Sequence, residues 1–573
     1  MRTCRTVSWW AASFPLVLLV LGHPVAAQQP CTDWSIADVI GIPPSSASAL
    51  GTRGSRAPSL AHSPEGFFAF MPQGWFGQTT FMSADGDVWA NRGEAPLIDR
   101  VQWGLGRFVG GTVSSLVAFV ADSPDGLSWG FAQTPIAAEP GASVPASWTG
   151  KEFFLVAEDT QGDAFVFSDQ TPFQTTSLPS TGLDYVAASG NAFVVAGRSG
   201  LAVGPTLHRL EEVQLPVPTE IRDVVWGAGT FAAVGATTDA SDRSVILTSQ
   251  DGSSWRVAAD WAGERPGDIL FTGTTFVALG QGTRLTTSSD GLTWTLQRLQ
   301  ITNLPPAVTQ VRLGPGAWDG RNLVTAARTD AGTFFVRTRC DSLGPTLVLP
   351  SAAHLDGIGG SHWRTDLVLH NPDWRETQVR IELLERDRAN PDPQFRFVVL
   401  PGGSSLRVED VVGRSFGVSG AATLRITPTA TTITASARTY NDSGSGSYGQ
   451  LIEGIAETDA IPAGRTARLI GLAESGRDDT GFRTNLGLVS VSGEPMEVEV
   501  ELRNADGTTL GTLAVELAPW ESVQLDRVFA SLTPNPVEAG LALVRTATPT
   551  GRFFAYASVI DNRTHDPQYV PAR

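Results

Sequence analysis

A short unit, Gly-x-(x)-Phe followed by small and apolar residues, recurs through the first part of the chain and constrains its fold more than any other feature. It stands at Gly66–Phe68, Gly106–Phe108, Gly150–Phe153, Gly190–Phe193, Gly229–Phe231, Gly273–Phe276 and, with leucine in place of phenylalanine, Gly320–Leu323. Successive last positions lie 40, 45, 40, 38, 45 and 47 residues apart. Such an interval holds four short strands and their turns, the length of one propeller blade. Seven units therefore predict a seven-bladed β-propeller. With 60 Gly, 37 Pro and only 17% charged residues, the chain suits many short strands joined by turns rather than helices or disorder.

A second motif, Ser-x-Asp-Gly-x-x-Trp, runs in phase with the first. Its four copies place Ser83, Asp85, Gly86 and Trp89; Ser123, Asp125, Gly126 and Trp129; Ser249, Asp251, Gly252 and Trp255; and Ser288, Asp290, Gly291 and Trp294. A decayed copy, Ser168-Asp169 with Phe173, falls in the third unit. Asp-Gly is a hairpin signal because glycine takes φ > 0 without steric cost. Serine and aspartate side chains bond the turn's own N–H groups, and the tryptophan re-enters a strand to fill space between blades. These residues are therefore read as scaffold, not as catalytic or calcium ligands.

In these two motifs, roughly residues 55 to 340 resemble the Asp-box, or bacterial neuraminidase, repeats with a shortened turn. They are similar to the propellers of sialidases, sortilin-type receptors and the photosystem II assembly factor family. The resemblance implies Asp boxes that serve as scaffold, set away from the functional face.

Beyond Cys340 the period changes. Trp363-Arg364-Thr365-Asp366-Leu367-Val368-Leu369 returns 119 residues later as Phe482-Arg483-Thr484-Asn485-Leu486-Gly487-Leu488. Val379, Ile381 and Leu383 alternate with Arg380 and Glu382, and Met496, Val498, Val500 and Leu502 with glutamates, the period of half-buried antiparallel strands. Two tandem β-sandwiches of immunoglobulin-like size follow from this pattern. The first carries an insertion, Asp387 to Gln394, read as an exposed loop; Trp363 and Phe482 are read as core. The expected organisation is all-β: a signal peptide over 1–27, the propeller over 28–341, and sandwiches over 342–462 and 463–573.

The leader reading rests on Arg2 and Arg5, the apolar run from Trp9 to Leu21, and Val25-Ala26-Ala27 at cleavage spacing. It makes the mature protein secreted, periplasmic or displayed at the cell surface. No later segment is long and apolar enough for a helical membrane anchor. Two cysteines remain after cleavage, Cys31 and Cys340, which bracket the propeller; a disulfide between them would clamp its seam. A net charge of −17, with Lys151 the only lysine, argues against nucleic acid as a partner.

Nothing in the motifs demands an enzyme. A sialidase-like site needs a tyrosine paired with an acid and an arginine cluster; the propeller offers Tyr185 beside Asp184, no Arg-Ile-Pro motif, and arginines scattered in sequence. Another glycosidase needs only two carboxylates, and no spacing singles out a pair. His354, His362 and His370, eight residues apart, suit surface or edge positions better than a metal site. Trp374 and Trp520 lie near turns, where an aromatic either packs under a loop or stacks on a sugar. No cofactor, metal or catalytic residue is assigned. The expectation is a non-enzymatic binding, scaffold or adhesion protein that uses a propeller face or central opening to hold a glycan or protein ligand. The alternatives are a secreted glycoside hydrolase and a protein assembly factor.

Overall fold

The computed structural model describes residues 34–39, 58–73, 77–140, 142–169, 173–239, 243–305, 308–340, 345–357, 360–442 and 446–573. The leader and Cys31 lie outside them. The described chain is nearly all β, built largely of four-stranded antiparallel sheets, the construction of a β-propeller. From Trp34 to Arg339 the described strands form seven sheets of four or five strands. Their first strands are Ser59–Ser63, Asp99–Gly104, Ala146–Trp148, Leu183–Ala188, Thr219–Gly227, Pro266–Phe271 and Val311–Trp318. Each packs beside the next, and the last packs beside the first, so these strands close a circuit around one axis.

The circuit is closed by strand exchange. Trp34–Ile36 pairs antiparallel with Gly332–Arg339 in the last sheet, and Asp38–Val39 pairs with Val88–Pro96 in the first. Trp34 is buried in the core of the last sheet. The N-terminal segment thus contributes to both sheets at the seam. Cys340, also buried there, is disulfide-bonded.

Beyond the circuit lie two units of eight main strands with the same pairing. Numbered along the chain, the strands of the first are Leu347–Asp356, His362–His370, Thr377–Glu385, Gln394–Leu400, Ser405–Val408, Gly420–Pro428, Thr434–Asp442 and Ser447–Glu453. One layer has the order 4-3-6-1 and the other 5-2-7-8; the second unit, from Ala467 to Pro571, repeats both orders. In each unit the core is filled from both layers: Ile381 and Leu424 meet Leu367 and Ala437 in one, Val498 and Val544 meet Leu486 and Ala557 in the other. This order differs from that of immunoglobulin layers, which run 1-2-5-4 and 3-6-7. Alternation in sequence supplies the strands and their inner faces but not their partners. Ile461–Pro462 pairs with Arg552–Asp561 and so belongs to the second unit.

The first sandwich-like unit covers one end of the circuit. The turn that follows each first strand meets it. Gln378 Nε2 donates to the His62 carbonyl (2.8 Å), Leu105 N–H to Glu376 (3.0 Å) and Arg375 Nη1 to the Trp226 carbonyl (3.1 Å). Gly150 lies under Arg375, Gly190 near Trp374, and Gly273 under Ala430 and Thr431. At the seventh turn a buried ionic network crosses the joint. Arg380 Nη1 bonds Asp319 (2.6 Å), Arg321 Nη1 bonds Glu382 (2.8 Å), and Arg425 Nη1 bonds the other oxygen of Glu382 (3.1 Å). All five side chains are at most 3% exposed.

The insertion from Asp387 to Gln394 is not a free loop. Its backbone bonds Ser522 and Pro519 of the second unit, and the Asn390 carboxamide donates to the Trp520 carbonyl (3.0 Å). From the other side Arg321 and Arg339 of the propeller bond the Pro391 carbonyl (3.0 and 2.9 Å). A segment that looks solvent-facing in sequence is instead hydrogen-bonded to two neighbours.

Candidate functional site

The four Ser-x-Asp-Gly-x-x-Trp segments form turns between the third and fourth strands of four sheets. In each, the serine Oγ accepts the glycine N–H, at 2.9, 2.8, 2.9 and 2.9 Å for Ser83, Ser123, Ser249 and Ser288. Asp85, Asp125, Asp251 and Asp290 accept the N–H two residues on, at 2.9, 2.9, 2.9 and 2.7 Å. The N–H groups of Ser128 and Leu127, with the Ser123 and Ser128 hydroxyls, hold the Asp125 carboxyl down at about 2. The same kind of bonding lowers Asp251 and Asp290. Trp89, Trp255 and Trp294 donate their indole N–H to the motif glycine's carbonyl, whereas Trp129 packs edge-on against Phe70.

The motif glycines face the preceding sheet. A Cβ on Gly252 would lie 2.7 Å from Val203, and one on Gly126 3.0 Å from Phe68. Phe108, Phe231 and Phe276 of the first repeat lie beside Gly126, Gly252 and Gly291. The two sequence repeats run in phase because they pack on each other. In the decayed copy Asp169 pairs with Arg107 of the preceding sheet.

At a shared bulge the first strands carry a set of axial groups. Aligned on the repeat phenylalanine, Arg100, Tyr185, Asp223 and Asp268 occupy one position in four different sheets. Arg100 reaches across the axis and bonds Asp223 (2.7 Å), and its guanidinium lies 4.4 Å from the centre of the Tyr185 ring. Asp268 accepts the Gly316 N–H (2.8 Å) and is hydrogen-bonded to Asp223. Burial and the neighbouring Asp223 carboxylate push Asp268 up to about 7, and burial raises the Tyr185 hydroxyl. The two carboxyl groups are thus held together by one hydrogen bond, with the Arg100 guanidinium on Asp223. Arg100 bars the axis at this level, so the central opening expected from sequence is closed there.

At the end away from the sandwich-like units four arginines converge. Arg312 and Arg328 face each other across paired strands; Arg222 lies within Thr219–Gly227, and Arg265 directly precedes Pro266–Phe271. Burial and repulsion from Arg328, Arg222 and Arg265 together lower the Arg312 pKa. Glu220 pairs with Arg222 (3.2 Å). Like charges placed directly opposite are destabilising, and this group stands out on a chain of net charge −17. The arginines that are scattered in sequence are thus gathered by the circuit, which no local signal reveals.

The other singled-out residues do not assemble a site. His354 bonds Asp410 (2.8 Å), His362 bonds Asp356 (2.6 Å), and His370 bonds the Ser404 carbonyl (3.0 Å). Among the described residues no cluster of three metal-ligating side chains is found. Trp374 packs beside Gly190 at the propeller joint, and Trp520 is buried with the Arg425 guanidinium 4.6 Å from its ring centre. Neither Trp363 nor Phe482 is core: Trp363 is half-buried on a cleft and Phe482 is 45% exposed.

No family model matches the chain, and no curated protein matches its sequence. Among solved structures it is similar to apo AztD from Citrobacter koseri, with 11% identity over 49% of this chain and 90% of that one and a TM-score of 0.31. It is also similar to the WD40 domain of SCAP from fission yeast, with 10% identity, 50% and 85% coverage and a TM-score of 0.30. A third is an exo-β-1,3-galactanase from Phanerochaete chrysosporium, with 9% identity, 94% and 99% coverage and a TM-score of 0.25. At these identities and scores the likenesses assign neither family nor function.

Proposed function

We propose that this chain is an exported, non-enzymatic binding protein that takes a glycan or protein ligand on the uncovered face of a seven-bladed propeller. In this reading the leader spans 1–27, the propeller 28–341 is clamped by a Cys31–Cys340 disulfide, and the Asp-box turns are scaffold. The two sandwiches act as a base that holds the propeller by its opposite end. The observation that carries the proposal is the convergence of Arg222, Arg265, Arg312 and Arg328 at the end the first sandwich leaves uncovered. Guanidinium groups held together despite mutual repulsion favour an anionic group, such as a uronate or sulfate, between them.

The carboxylates Asp223 and Asp268 favour the glycoside hydrolase reading only at first sight. Hydrolases of that kind hold their two carboxyl groups roughly 5 to 9.5 Å apart around the scissile bond. Here the two are hydrogen-bonded to each other and backed by Arg100. Nothing in that arrangement leaves room for a sugar.

The test is retention of the labelled mature protein, residues 28–573, on an array containing neutral, uronate-bearing and sulfated glycans. Retention on anionic glycans that is lost in Arg312→Ala supports the proposal. Release of shortened glycan during incubation would instead favour the hydrolase.

A further inference from the structure

A cavity of about 460 Å³ opens between the two sandwich-like units, within the size range of small-ligand sites. The first unit lines it with Trp363, Leu355 and Gln450, and the second with Asn485, Tyr556 and Ser558, among others. The site is unrelated to the propeller face and lies beyond the buried seam of Val348, Leu384, Trp520 and Phe554 that joins the units.

Several of its polar groups have no partner in the protein. Gln450 is only 8% exposed; its Oε1 accepts the Ser558 hydroxyl (3.1 Å), and its Nε2 donates to nothing in the protein. Asn485 Oδ1 accepts the Arg527 N–H (3.1 Å), and its Nδ2 is unpartnered. Trp363, half-buried, lines the cleft beside them. A carboxamide N–H left without a protein partner at a cleft is a donor available to a polar ligand.

The arginines around the cleft are offset by nearby carboxylates. Arg527 bonds Glu474 (3.0 Å) and Asp478, Arg386 bonds Asp387 (3.2 Å), and Arg483 bonds the neutral Asn562 carboxamide (2.8 Å). With Asp526 also in the lining, the cleft holds no excess of positive charge for an anionic ligand. It offers an indole, planar carboxamides with free N–H groups, and hydroxyls.

We infer that this cleft binds a neutral saccharide. Its ring would lie on Trp363, since the apolar face of a sugar packs on an aromatic surface. The hydroxyls would accept from Gln450 and Asn485.

The test uses the mature chain, residues 28–573, in titration calorimetry with cello-, manno-, xylo- and galacto-oligosaccharides of four to six sugars. Binding of at least one of these, weakened tenfold or more in Trp363→Ala and in Gln450→Leu and unchanged in Arg312→Ala, supports the inference. Gln450→Leu carries the test if Trp363→Ala does not fold, as judged by its thermal melt. The inference fails if none of the four classes binds. It also fails if binding survives both cleft substitutions or disappears in Arg312→Ala, which would move the sugar to the propeller face.

Discussion

Individual residues act here mostly through backbone geometry and buried charge. Gly252 combines φ +80 with a 2.7 Å approach to Val203. Gly252→Ala is expected to cost about 2–3 kcal/mol from the left-handed backbone and the clash together, read as a shift of the denaturant midpoint at constant slope. The axial carboxyl gives a pH signature. Asp268 stays protonated to about 7 when folded, whereas it ionises near 4 when unfolded. Its contribution is full below pH 4 and is lost as pH rises from 4 to 7. His62, buried between Phe67 and Phe397 at the propeller joint, has the opposite sign: burial lowers it to about 4. Its contribution is full above pH 6.5 and is lost as pH falls from 6.5 to 4. Comparing stability against pH for the native chain and Asp268→Asn isolates the first effect. The native chain should lose stability relative to the variant as pH rises through this window, and parallel curves would show that Asp268 ionises normally.

At the scale of elements, the exchange of Trp34–Ile36 into the last sheet closes the circuit. Trp34→Ala removes a buried indole from that seam and should cost about 3–5 kcal/mol, with hydrogen exchange accelerating first in Gly332–Arg339. The repeat period and the Ser-x-Asp-Gly-x-x-Trp turns were legible in sequence because each is local: four strands per unit, and one turn that bonds itself. The alternation around Ile381 and Val498 likewise revealed strands and their inner faces. What was not legible is what distant segments do for each other. Trp34 has no repeat partner to flag it as a strand, and the polar run around Asn390 reads as solvent-facing until its partners Trp520 and Arg321 are placed. The arginine cluster was hidden for the same reason, since Arg222, Arg265, Arg312 and Arg328 meet only after the circuit closes. Phe482 and Trp363 misled because an aromatic that opens a strand looks like core whether it faces inward or onto a cleft.

The molecule as a whole is a propeller held at one end by a base, and the joint is sealed by buried ions. Glu382 bonds both Arg321 of the propeller and Arg425 of the first sandwich-like unit. Removing one member leaves an unpaired buried charge, so Glu382→Ala should cost about 3–5 kcal/mol. Calorimetry should then resolve separate propeller and base transitions where the native chain shows one. Among the described residues neither sandwich-like unit covers the other end of the axis, and the four arginines stand there. The most direct test of their role is retention of the mature chain on uronate-bearing and sulfated glycans, measured beside Arg312→Ala and Arg328→Ala. The account requires retention that falls with added salt and is lost in both variants while their melting temperatures hold. Retention that is indifferent to both substitutions, or no retention of the folded protein, would contradict it.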